Sequence, residues 1–139
     1  MNDPATTPTR RFDELVPGDP LGPFAVVVDQ AANERYWQAA GVDHPALAAG
    51  TLYPPIAANL TILMFQQTCP DAMIQTRQQL RCHHTVPAGT PLVVTGRIGE
   101  RWEKRGRAFC DVEAEVHTDT GGLAWSSVVT FTPVEGFRT

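Results

Sequence analysis

The sequence predicts an α+β domain: a curved antiparallel sheet wrapped around one long, buried central helix. Three observations predict it. The stretch from Ala48 to Thr68, AAGTLYPPIAANLTILMFQQT, turns through Pro54-Pro55 into a helix whose only polar residues between Ile56 and Phe65 are Asn59 and Thr61. A helix apolar on most sides has to be buried. From Ile74 to Val134 the chain reads as long strands separated by turn signals. Helices come early and most strands late, the pattern of a domain whose helices cover one face of a sheet.

Size and charge narrow the function classes. A chain of 139 residues is one domain. The net charge of -4 argues against nucleic acid, whose phosphates call for a basic stripe. No apolar run reaches membrane-spanning length. The start, MNDPATTPTRRFDEL, has no apolar segment of the kind that directs secretion. Cys69, Cys82 and Cys110 are odd in number and irregularly spaced. They read as free thiols in a reducing cytoplasm, which is the expected location.

Residues 1–10 are expected to be a disordered tail, and residues 11–139 a single domain. Arg11 to Pro23 is an extended lead-in with turn signals. Phe24 to Asp29, FAVVVD, is an apolar strand rich in β-branched residues. Asp29 is placed to cap a helix over Gln30 to Ala40, and Gly41 to stop it. Tyr36 and Trp37 on that helix are expected to pack onto the sheet. An irregular loop, GVDHPALAAGTLYPP, then leads into the buried helix. Pro55 suits its first turn, where a missing N–H costs nothing. The helix ends near Cys69-Pro70, and strands follow over Ala72–His84, Thr90–Lys104, Arg107–His117 and Leu123–Pro133. The third of these alternates cleanly, with Ala108, Cys110, Val112, Ala114 and Val116 on the buried face.

Three stretches, in this order and spacing, resemble a known family. They are YWQAAGVDHPALAAGTLYPPIAANL from Tyr36 to Leu60, QQLRCHHTVPAGTPLVVT from Gln78 to Thr95, and Arg105 to Gly121 with its Arg-Gly hairpin and Gly turn. Together they resemble the MaoC-like acyl dehydratases and hydratases, which have the hot-dog fold. The resemblance covers about Phe12 to Thr132. It implies a substrate carried as a thioester on coenzyme A or acyl carrier protein, with no other cofactor. It implies addition of water to a 2-enoyl thioester, or its removal from a 3-hydroxyacyl thioester. It also implies a homodimer or a heterodimer of hot-dog chains.

The departure from the family pattern is as informative. Active members carry D-x-N-P-x-H on the loop before the central helix. Alignment through Pro45 puts Val42 at the Asp position, His44 at the Asn position and Leu47 at the His position. The loop from Pro45 to Pro54 is also shorter than in those members. A shifted register would bring Asp43 and His44 into service.

Hydration of an enoyl thioester needs a base for water, an acid for C2, and donors for the enolate oxygen. Asp43 and His44 are the adjacent acid/base pair on the loop and the candidate catalytic residues. Their other reading is a turn-forming Asp beside an exposed loop His. Backbone N–H groups at a helix start have no helical partner, and the helix dipole favours negative charge there. The family resemblance puts the carbonyl contact at about Asn59, with Ala58 beside it; Tyr53, just before the same helix, is a further substrate-binding candidate. His83 and His84 follow each other on a predicted strand and point to opposite faces. With Cys82 they make a poor metal clip, so no metal is expected, and His84 is the candidate for lining a groove. Trp102, Trp125 and Phe109 read as sheet packing. Arg77, Arg81 and Arg105 read as solvated, or as contacts for carrier phosphates.

Four functions stay open on these residues. The chain is a non-catalytic partner whose companion supplies Asp and His. Or it is a tailoring dehydratase or cyclase that uses Asp43 and His44. Or it is a hot-dog thioesterase, against which stands the absence of Asp or Glu from Pro54 to Thr68. Or it is an acyl-binding module without turnover.

Overall fold

The computed structural model describes residues 9–41 and 43–134, so most of the expected tail lies outside the described residues. After a 3-10 turn at Phe12–Glu14 come β1 (Pro20–Val26), α1 (Gln30–Ala40), α2 (Pro45–Ala48) and α3 (Ile56–Thr68). Then come β2 (Met73–Cys82), β3 (Leu92–Lys104), β4 (Arg107–Thr118) and β5 (Leu123–Pro133). The strands form one antiparallel sheet in the order β1-β3-β4-β5-β2. It curves around α3, as the sequence predicts.

The apolar residues of α3 take the buried positions. Ile56, Ala57, Leu60, Met64 and Phe65 are almost fully covered, and Phe65 stacks on Phe131 of β5 with centroids 4.8 Å apart. Burying a side chain of this size contributes about 1.5–3 kcal/mol. Thr61 is buried yet satisfied: its hydroxyl meets the Ala57 carbonyl at 2.9 Å and the Ser127 hydroxyl at 3.1 Å. One stripe of the helix, Asn59, Leu63, Gln66 and Gln67, stays exposed. On β4, Cys110, Val112, Ala114 and Val116 are buried at alternate positions, as expected.

Several strand boundaries differ from expectation, the larger shifts for a local reason. β1 starts at Pro20 and ends at Val26, where the sequence suggests Phe24 to Asp29. Its pairing with β3 skips between Leu21 and Phe24, because Gly22 turns with φ +77° and Pro23 has no N–H to give. The chain leaves the sheet early because Asp29 is needed at the helix: its carboxylate accepts from the Ala32 N–H at 2.8 Å. β2 stops at Cys82, since the N–H groups of His83 and His84 both turn to the Ala124 carbonyl, at 2.8 and 3.4 Å. β3 starts at Leu92 because Thr90 closes a turn on the Pro87 carbonyl. The irregular loop holds a one-turn helix, α2, with His44 as its cap.

Helix and sheet approach closely at Gly96. A β-carbon there would lie 2.7 Å from Met64 Cε and closer still to the Glu113 carbonyl oxygen. Gly96→Ala is therefore expected to cost about 2 kcal/mol of stability in urea unfolding, since overpacking forces the backbone apart. A cost under about 0.5 kcal/mol would show that β3 and α3 are not in this contact.

Cys69 and Cys110 are buried and Cys82 is exposed. Burial pushes the Cys69 thiol up, and pushes that of Cys110 from 9.0 to about 11. The folded state therefore holds the Cys110 proton more tightly than the unfolded state does. That stability is complete below pH 9.0 and is lost as pH rises toward about 11. Thermal melts over this window should fall more steeply for the wild type than for Cys110→Ala. A native-state thiol titration should show one fast group, at Cys82, and two more only on unfolding.

Candidate functional site

α1 sets up the loop that leads into α3. It starts at the Asp29 cap and ends at Gly41 with φ +69°. One side carries Asn33, Tyr36 and Trp37, at helical spacings of three and four. Asn33 is fully buried and clamps the loop at two points. Its amide NH2 donates to the Thr51 carbonyl at 3.0 Å, and its side-chain oxygen accepts from the Tyr53 N–H at 2.8 Å. The indole N–H of Trp37 donates to the same Thr51 carbonyl at 3.0 Å. On the other side, the Leu52 N–H donates to the Val86 carbonyl at 2.8 Å, and Thr51 bridges Pro87. This ties the loop before α3 to the bend after β2.

Rings line this corner. Tyr36 stacks on Tyr53 at 6.3 Å, Trp37 meets Tyr53 edge-on at 5.0 Å, and His44 stacks on Trp37 at 5.9 Å. The ring contacts of Trp37 are thus with the loop, where packing on the sheet was expected. The reason is its indole N–H, which needs an acceptor when buried and finds one at Thr51.

His44 is exposed, and its chemistry is set by α2. Its Nδ1 accepts the Ala46 N–H at 3.0 Å. A backbone N–H only donates, so Nδ1 carries the lone pair and the neutral ring holds its proton on Nε2. His44 therefore presents a donor outward, and its basic nitrogen is occupied. Asp43 is exposed, and among the described residues no hydrogen bond joins it to His44.

The start of α3 differs from expectation. The N–H groups of Ile56, Ala57 and Ala58 are not free. They donate to the carbonyls of Tyr53, Pro54 and Pro55 at 3.1, 3.3 and 3.3 Å, because the Pro-Pro turn winds tightly into the helix. Ala58 is buried and Asn59 exposed. His84 is exposed at the bend after β2. Among the described residues no ring contact or hydrogen bond joins it to Asp43, His44 or Tyr53.

A groove of about 780 Å³ lies on the other face of the sheet, away from α3. Its walls include Gln79, Arg81, Arg97, Glu113, Glu115 and Ser126. The His83 ring meets the Ser126 hydroxyl there at 2.9 Å, and Arg97 pairs with Glu113 at 2.8 Å. None of Asp43, His44, Tyr53, Ala58, Asn59 or His84 lines it. Sequence reasoning missed Asn33, although a polar residue at the inward position of an amphipathic helix is a signal for a buried anchor. It also missed this groove, because its residues come from four strands whose register the sequence does not give.

No protein-family model and no curated protein matches the chain. Solved structures match it in fold, at low sequence identity. The crystal structure of the C-terminally truncated HadBC (3R-hydroxyacyl-ACP dehydratase) complex from Mycobacterium tuberculosis contains a chain that matches with a TM-score of 0.74 at 20% identity, over 84% of this chain and 96% of that one. The (R)-hydratase from A. caviae involved in PHA biosynthesis matches with a TM-score of 0.70 at 15% identity, over 85% and 96%. A MaoC-like dehydratase from Rhodospirillum rubrum matches with a TM-score of 0.69 at 15% identity, over 89% and 96%. The chain has the hot-dog fold. In this hot-dog domain α3 is the central helix, and the corner built by Asn33, Trp37, His44 and Tyr53 stands where the chain runs into it.

Asn33→Ala removes both clamps. It is expected to cost about 2–3 kcal/mol, since it leaves polar groups unpaired in a covered place. Limited proteolysis of the variant should cut first between Ala49 and Tyr53. An uncut loop at unchanged stability would show that Trp37 and Val86 suffice.

Proposed function

We propose that this hot-dog chain handles acyl thioesters of the 2-enoyl and 3-hydroxyacyl kind, as a subunit whose water-activating base comes from a partner hot-dog chain. One observation carries the reading. The ring nitrogen of His44 that would take a proton is held by the Ala46 N–H. Val42 and Leu47 at the family's Asp and His positions support the same reading. The partner is a second copy or a different hot-dog chain. The edge strand β2, exposed from Gln75 to Gln79, offers its unpaired backbone for joining two sheets. The HadBC structure is itself that of a complex.

In this reading Tyr53 and the backbone at Ala58 and Asn59 bracket the thioester carbonyl. The long bond from the Ala58 N–H to Pro55 is of the kind a helix end readily shares with a second acceptor. No cofactor beyond the acyl carrier is needed, and the three free thiols suit a reducing cytoplasm. Among the described residues no helix is long and apolar enough to cross a membrane.

A second reading rests on the outward Nε2–H of His44. Held flat against Trp37, it is a positioned hydrogen-bond donor that would polarise a substrate oxygen in a tailoring dehydratase or cyclase, with Asp43 next to it in sequence as the proton-transfer group. Hydration of a short 2-enoyl-CoA by the purified chain, at substrate saturation, separates the two. The expected result is no turnover by the chain or by Asp43→Ala/His44→Ala, binding of acyl-CoA by both, and turnover once a co-purifying hot-dog chain is added. Turnover by the lone chain that the double variant loses would replace the first reading with the second.

A further inference from the structure

The outer face of the sheet carries a charge pattern that is complementary to itself. The register places Ser126 of β5 directly between Arg81 of β2 and Glu115 of β4. Four residues further along, Thr130 stands between Arg77 and Asp111. Val128, midway, stands between Gln79 and Glu113. Residues directly opposite on neighbouring strands share a face. It is the outer one, since Ser127 points inward to Thr61.

β5 therefore forms a floor of small side chains. One wall, β4, is acidic, and the other, β2, is basic. Neighbouring strands are about 4.8 Å apart, so the two walls stand about 10 Å from each other. Arg77, Arg81 and Glu115 are exposed, and none of them is in an ion pair among the described residues. Asp111 accepts from the Thr130 hydroxyl. Arg97, beyond the acidic wall, is already held by Glu113.

We propose that this face docks a second copy of the chain, back to back, through a two-fold axis lying along β5. That operation keeps the position along the strand and exchanges the two walls. Arg81 then meets Glu115 of the partner subunit, and Arg77 meets Asp111 of the partner subunit, each twice. Gln79 faces Glu113 of the partner subunit, and Val128 meets its own copy at the centre. The result is a self-complementary interface with one apolar contact, Val128 on its own copy, among hydroxyls and inside a charged rim. Strands of the two copies run in line, which is one of the two usual ways for sheets to stack. An axis across the strands would instead set acid on acid. The contact leaves the backbone edge of β2 open, so it is separate from any edge pairing of sheets.

The test is native mass by sedimentation, on the full chain, at about 0.05 M and about 1 M salt, where charge screening lengths differ severalfold. Arg81→Glu places like charges together at two symmetric positions. It is expected to weaken association by roughly a hundredfold or more and to halve the native mass. Glu115→Arg should do the same. The double variant Arg81→Glu/Glu115→Arg should restore the mass, because it exchanges the charges of each pair. High salt should lower the wild-type association constant. A mass that neither single reversal changes, or one that the double reversal fails to restore, overturns the proposal. Both residues are exposed, and unchanged circular dichroism of the variants shows that folding is not what is being read.

Discussion

The molecule depends on how closely one sheet is drawn over one helix. At Gly96 the strand backbone lies against Met64, with no room for a β-carbon. The Thr61–Ser127 hydroxyl pair fixes the rotation of α3 beneath β5. The stack of Phe65 on Phe131 fixes its far end. With the helix held in this way, its first turn can emerge at one place only. The loop before it is then pinned from both sides, by Asn33 and Trp37 on α1 and by Val86 after β2.

Most of the fold was legible because its signals are local. The apolar run from Ile56 to Phe65, the Asp29 cap, the Gly41 stop and the alternation on β4 each follow from neighbouring residues. What escaped was set across the chain. β1 is shaped by a glycine and a proline that interrupt its pairing with β3, a partner far away in sequence. The bend at His83 and His84 exists because both N–H groups share the Ala124 carbonyl. The short helix α2 has four residues and leaves no periodic trace.

At the candidate site the sequence pointed to one loop and left its chemistry open. Asp43 and His44 were visible as an adjacent acid and base. Which imidazole nitrogen is available was not, because that depends on one hydrogen bond to Ala46. The same holds for the N–H groups at the start of α3, which a linear reading leaves free and the Pro-Pro turn occupies. Site geometry is a tertiary property even where the site residues are contiguous.

The exposed thiol of Cys82 has a practical consequence. It sits at the last residue of edge strand β2, across from Trp125, while the other two thiols are enclosed. A dye or spin label attached there would occupy a known position at the rim of the sheet. Distances between two such labels would then distinguish sheets joined edge to edge from sheets stacked back to back, in a chain that needs no engineered cysteine.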